Sequence, residues 1–285
     1  MKPASPLSIG FSPCPNDTFI FHALMHGLVA DPQLSFSKEI LADVETLNEW
    51  ALEGRLDVSK VSFHAFGHIL DDYVLLDAGS ALGLGCGPLL VAGKPLTNAD
   101  LERGKIAIPG NYTTAVMLLR LFAPQCDNLV VMSFEQIMPA IIAGEVDAGV
   151  IIHESRFTYP QYGLHLIQDL GQWWEEVSGH PIPLGGIVAK RSLGEEKIAI
   201  IQRLIRDSVR WAFSNPESSR DYIKQHAQEM DAQVTREHIK LYVNSSSEHL
   251  ENEDVMAITD FLKRGREAGI IPPGRDDWFA GSPKL

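Results

Sequence analysis

Cysteine is scarce in this chain. Only Cys14, Cys86 and Cys126 occur among 285 residues; they are far apart, odd in number and never form a C-x-x-C pair. That argues against a disulfide framework and against a thiolate zinc site. Basic residues are also in deficit: 24 Lys and Arg against 37 Asp and Glu give a formal net charge of −13. Such a balance disfavours nonspecific nucleic-acid binding, though it leaves room for a locally positive pocket that takes a small acid. No run approaches the ~18–20 apolar residues of a membrane helix. The opening Met1-Lys2-Pro3-Ala4-Ser5-Pro6 lacks the apolar core of a signal peptide, so the expected location is the cytoplasm and no membrane partner is expected.

What is present is a globular composition, 45% hydrophobic, in a chain long enough for about two domains. Strand-like and helix-like segments alternate, which predicts the α/β class. Leu7–Phe11 reads as a strand. After Ser12-Pro13-Cys14-Pro15, either Asn16 or Asp17 can cap a helix carrying Phe19 to Met25. Leu34–Leu41 reads as a second strand, and Asp43 caps a helix with Leu47, Trp50 and Ala51 on one face.

One unit is written twice, 90 residues apart. Glu45 leads through Gly54 and Asp57 into Val58-Ser59-Lys60-Val61-Ser62, with His64 just beyond; Glu135 leads through Gly144 and Asp147 into Ala148-Gly149-Val150-Ile151-Ile152-His153-Glu154. Each copy predicts an amphipathic helix, a glycine cap, a tight turn and a short apolar strand. Strand carboxyl ends in open α/β sheets face the ligand crevice, so two copies predict two similar domains across one cleft. The glycines of Ala78–Pro88 and the stretch Pro181–Val188 suit crossings between domains. The expected division is a discontinuous first domain, 1–90 plus 186–285, and an inserted second domain, 91–185. Beyond Glu195 the pattern is helical, with Asn215-Pro216 and Thr235 as helix starts, and this tail is expected outside the first domain.

Several features invite chemistry, each with a plainer alternative. The glycines at 83, 85 and 87 have the spacing G-x-G-x-G and precede a strand, so a hinge fits better than a dinucleotide loop. His22 with His26, and His64 with His68, have the i,i+4 spacing of metal ligands. Neither pair has a third ligand, and packing is favoured; no metal is expected. Ser133 and Gln136 fit a capping box, and one of Trp173 and Trp174 fits packing on a sheet. Thr113-Thr114 stand at a strand-to-helix turn, where free N–H groups suit a carboxylate and a plain cap is equally served. His153 ends the second repeat's strand at the expected cleft. There it can exchange a proton near neutrality or serve as a structural histidine.

The string Ser12-Pro13-Cys14-Pro15-Asn16-Asp17-Thr18-Phe19 resembles that of 1,4-dihydroxy-6-naphthoate synthases of the futalosine route to menaquinone. The likeness continues through residues 57–62, Gly110-Asn111-Tyr112-Thr113-Thr114 and 149–154, and covers essentially the whole chain. The resemblance implies a periplasmic-binding-protein type II-like fold of two α/β domains around a central cleft. It also implies lysis of cyclic dehypoxanthinyl futalosine to 1,4-dihydroxy-6-naphthoate without metal or organic cofactor. His153 falls on the family's general base, and Lys60, Val61, Ser62, Thr113 and Thr114, with Asn16 and Asp17, on the side binding the carboxylate-bearing substrate. Alternatives are chorismate dehydratase of the same pathway, which the 12–19 string and His153 oppose, a noncatalytic small-carboxylate-binding protein, and a ligand-sensing module.

Overall fold

The computed structural model describes residues 5–153, 155–227 and 231–280, so Glu154 and Met1 to Ala4 lie outside the described residues. Among the described residues eleven strands form two sheets. They are β1 (Ile9–Phe11), β2 (Ile40–Leu41), β3 (Val58–Ser62), β4 (Tyr73–Leu75), β5 (Ala81–Gly83), β6 (Leu89–Ala92), β7 (Ile106–Ile108), β8 (Leu129–Val131), β9 (Ala148–Ile151), β10 (His165–Asp169) and β11 (Ile182–Lys190). One sheet runs β2-β1-β3-β11-β4, with β5 also paired to β11; the other runs β10-β6-β9-β7-β8.

Reversing the second order to β8-β7-β9-β6-β10 aligns the two sheets strand for strand. In each, the first three strands are parallel and the last two join antiparallel. The repeated sequence unit therefore builds the same element twice, the central strand β3 or β9. Gly54 and Gly144 adopt left-handed backbone with φ of 65° and 71°, ending the helices Val44–Leu52 and Phe134–Ile142. The Asp three residues later pins the start of the neighbouring parallel strand. Asp57 accepts from the Ser8 N–H at 2.9 Å, and Asp147 accepts from the Lys105 N–H at 2.8 Å. Both core strands are fully buried, as expected of sheets covered on two faces.

The chain leaves the first sheet after β5, enters the second at β6, and returns at β11 behind the helix Leu170–Ser178. Glycine at 87 is required by proximity. A Cβ there would lie 2.3 Å from the Gly171 Cα, so the crossing strand and the helix start touch backbone to backbone.

Some local expectations fail. Neither Asn16 nor Asp17 caps the Pro15–Met25 helix; Cys14 is the cap residue, and Pro15 sets the first helical φ. Leu34–Leu41 shrinks to the two-residue β2 plus isolated bridges at Leu34 and Phe36. Ser133 makes no capping hydrogen bond. Asn215 ends the helix Glu195–Ser214, and the next helices are Arg220–His226 and Ala232–Tyr242, the latter capped by Asp231 rather than opened at Thr235. Trp174 is wholly buried, edge-on to Phe261 at 5.2 Å. Among the described residues no helix is long and apolar enough to cross a membrane.

Candidate functional site

A cleft of ≈ 720 Å³, its open mouth included, lies between the two sheets. All eight residues singled out from the sequence line it: Asn16, Asp17, Lys60, Val61, Ser62, Thr113, Thr114 and His153.

The first-sheet wall carries two polar clusters. The Asp17 carboxylate accepts from the Ser12 hydroxyl at 2.7 Å and the Ser12 N–H at 3.2 Å, and pairs with Lys60 Nζ at 3.3 Å. Lys60 also donates to the Gly79 carbonyl at 2.9 Å. Both charges are buried, so each is the main compensation for the other. Asn16 Nδ2 donates to Asp17 at 2.9 Å, and its Oδ1 lies 3.0 Å from His238 Nε2. Ser62, at the end of β3, is held by Asn48, which accepts from the Ser62 N–H at 2.8 Å and donates to its Oγ at 3.2 Å.

The second-sheet wall begins after β7, where residues 110–114 are clamped by first-sheet elements. The buried Glu45 carboxylate accepts from the Tyr112 N–H at 3.0 Å, and burial raises its pKa against the lowering effect of Asn48 and the Tyr112 and Asn111 backbone. Gly110 is required here, because a Cβ would lie 2.2 Å from the Glu45 carboxyl carbon. His64 Nδ1 meets the Thr113 carbonyl at 3.1 Å, and the Ala65 N–H donates to the Tyr112 carbonyl at 3.1 Å. Thr113 caps the helix Thr114–Phe122, its Oγ1 accepting from the Val116 N–H at 3.3 Å. The Thr114 hydroxyl donates to Leu184 O at 2.6 Å. Both hydroxyls are thus engaged within the protein, while the N–H groups of Thr114 and Ala115 find no acceptor among the described residues. These are the orphan donors at the positive end of a helix dipole, suited to an anion.

His153 follows β9 with φ 56°, making it the one non-glycine residue in left-handed backbone among the described residues. That conformation costs about 1–2 kcal/mol. The ring sits 4.9 Å from Phe134, edge to face, and 6.3 Å from the near-parallel ring of His238. Its Nδ1 lies 3.6 Å from Cys14 Sγ.

Comparison with known proteins gives the family and the fold. The family model described as menaquinone biosynthesis matches residues 7–267. The chain belongs to that family. It is 48% identical over 267 residues to the 1,4-dihydroxy-6-naphthoate synthase of Thermus thermophilus, spanning 94% of this chain and 96% of the relative. The enzyme of that name from Streptomyces coelicolor is 46% identical over 275 residues, with the same coverage. A solved structure from Archaeoglobus fulgidus superposes with TM-score 0.87 at 33% identity, covering 93% of this chain and 98% of its own. The alkanesulfonate-binding protein SsuA of Xanthomonas axonopodis reaches TM-score 0.71 at 13% identity over 96% of both chains, which shows a shared periplasmic-binding-protein-like fold.

Within this menaquinone-biosynthesis family member the other histidine pairs do not reach the cleft. His22 is buried against Trp211 and Tyr222, and His26 Nδ1 lies 2.9 Å from the His22 carbonyl. Burial, then the neighbouring His26, holds the His22 imidazole below its usual range. Burial pushes His64 down to about 4, with His68 adding to the effect and the Thr113 carbonyl opposing it. Among the described residues no group of three or more His, Cys, Asp or Glu side chains is placed to share a metal ion. His238 and Tyr242, on the helix Ala232–Tyr242, also line the cleft and are missed by sequence reasoning. The C-terminal helices therefore do more than cover the outside of the first sheet. No local motif marks His238; its i,i+4 spacing to Tyr242 on one helical face was the available signal.

Proposed function

We propose that this chain is a 1,4-dihydroxy-6-naphthoate synthase, a cofactor-independent carbon–carbon lyase acting on cyclic dehypoxanthinyl futalosine. The observation that carries the reading is the convergence, in one cleft, of a histidine at a strand end and a helix N-terminus with two unpaired N–H groups. The names of the two relatives at 46–48% identity support the same product. The cleft-forming units are taken as 1–90 plus 186–285 and 91–185, shifted at the edges so that β6, from Leu89, stays whole in the second unit and β11, from Ile182, whole in the first.

The substrate carboxylate is held by the Thr114 and Ala115 N–H groups, with Ser62 opposite. Hydrogen bonds of this charge-assisted kind are worth about 1.5–3 kcal/mol each. Lys60 is already neutralised by Asp17, so it contributes a positioned N–H rather than net charge. His153 removes a proton from the bound cyclic precursor, bond cleavage releases the sugar-derived portion, and formation of the aromatic naphthalene ring drives the step. The conversion needs positioning, one mobile proton and a site shielded from water, which a two-walled cleft supplies. Incubating the purified protein with cyclic dehypoxanthinyl futalosine should yield 1,4-dihydroxy-6-naphthoate. Turnover of chorismate instead would favour the dehydratase reading, and tight binding without product would favour a binding protein.

A further inference from the structure

Cys14 occupies a position that its residue type does not suit. It is the cap of the Pro15–Met25 helix, where Ser, Thr, Asp or Asn would accept from the first-turn N–H groups, and its side chain makes no capping bond. The thiol instead reaches across the cleft to His153 Nδ1 at 3.6 Å, from the first-sheet wall to the second. Its placement is fixed on both sides. Pro13 and Pro15 restrict the flanking backbone, the Cys14 N–H donates to Ser12 Oγ at 3.3 Å, and its carbonyl accepts from Thr18 Oγ1 at 2.9 Å. A local rule is broken where a rigid loop meets a strained, left-handed histidine, the pattern expected at a functional site.

We propose that Cys14 is a positioning residue for His153: its sulfur engages Nδ1 across the cleft, fixing the ring's orientation and tautomer for proton transfer at Nε2. The inference rests on the naphthoate synthase reading. A hydrogen bond at one imidazole nitrogen decides which form the other presents. Because the two partners belong to opposite walls, the base is fully oriented only when the walls are together. The thiol is directed at the imidazole, so its role is exerted through His153 rather than on the substrate.

The test compares unsubstituted protein, Cys14→Ala and Cys14→Ser on cyclic dehypoxanthinyl futalosine. Loss of one neutral hydrogen bond should lower kcat about 3- to 10-fold in Cys14→Ala, with KM changed less than about twofold. The limb of the kcat–pH profile should move to lower pH, since the sulfur no longer accepts from the imidazolium, and Cys14→Ser should recover part of the loss. An unchanged kcat and pH profile in Cys14→Ala overturns the proposal. A second arm needs no variant. Iodoacetamide should modify Cys14 ahead of Cys86 and Cys126, which are 1% and 6% exposed, abolish turnover in step, and be slowed by substrate. Full alkylation of Cys14 with turnover retained also overturns it. Failure of the unsubstituted protein to form the naphthoate overturns the functional reading itself, and this inference with it.

Discussion

His64 and His238 are imidazoles folded away from water, and they tie stability to pH. Burial pushes His64 down to about 4, and burial followed by the neighbouring His153 pushes His238 down to about 3, both from an ordinary 6.5. Between 6.5 and 4 the unfolded chain carries a proton at His64 that the folded chain refuses. Stability is therefore intact above 6.5 and falls as pH drops through that window, by about 1.4 kcal/mol per pH unit for each such histidine. Urea unfolding from pH 4.5 to 6.5 should show His64→Gln with a slope flatter by about one proton than the unsubstituted protein; equal slopes would contradict the assignment. At this scale the sequence was informative where a residue stands at a strand end or inside a distinctive string, as His153, Ser62, Asn16 and Asp17 do. It was silent on Asn48, His238 and the aim of Cys14, whose partners lie 14, 222 and 139 positions away along the chain.

At the scale of elements, residues 110–114 form the second-sheet wall yet are fastened by side chains and backbone of the first-sheet unit. The Thr114 hydroxyl is one fastening, since it donates to Leu184 O rather than to the cleft. Thr114→Val leaves that carbonyl without its donor and should destabilise the protein by about 1–3 kcal/mol. Affinity for the naphthoate product should stay close to normal, because the carboxylate is assigned to N–H groups that the substitution leaves in place. Thermal unfolding and product titration check the two halves; strongly weakened product binding with unchanged stability would mean that the hydroxyl faces the ligand. The turn–Asp–strand units were readable because a glycine cap, an Asp three residues on and a short, wholly buried strand leave a local mark at 54–62 and 144–151. Leu34–Leu41 was misread because apolar residues can follow an irregular edge, which forms a ladder at Ile40 and Leu41 and an isolated bridge to the sheet side at Phe36. Ser133 misled similarly, its spacing to Gln136 fitting a cap that the side chain does not make.

At the scale of the whole molecule, two sheets with matching strand order place their central strands, β3 and β9, at one cleft. Ser62 ends one strand and His153 follows the other. The 90-residue repeat carried that symmetry in the sequence. The third contribution to the cleft, from the Ala232–Tyr242 helix, has no counterpart in the repeat and was not legible. On the proposed function, this cleft positions the substrate while His153 moves its proton. The direct measurement is single-turnover naphthoate formation by folded His153→Ala across pH, alongside substrate affinity. A positioned base contributes about 10²–10⁴-fold, so turnover should fall by that factor while substrate still binds, and the unsubstituted rate should rise with pH through the titration of His153. Near-normal turnover with the same pH dependence in His153→Ala would contradict the claim.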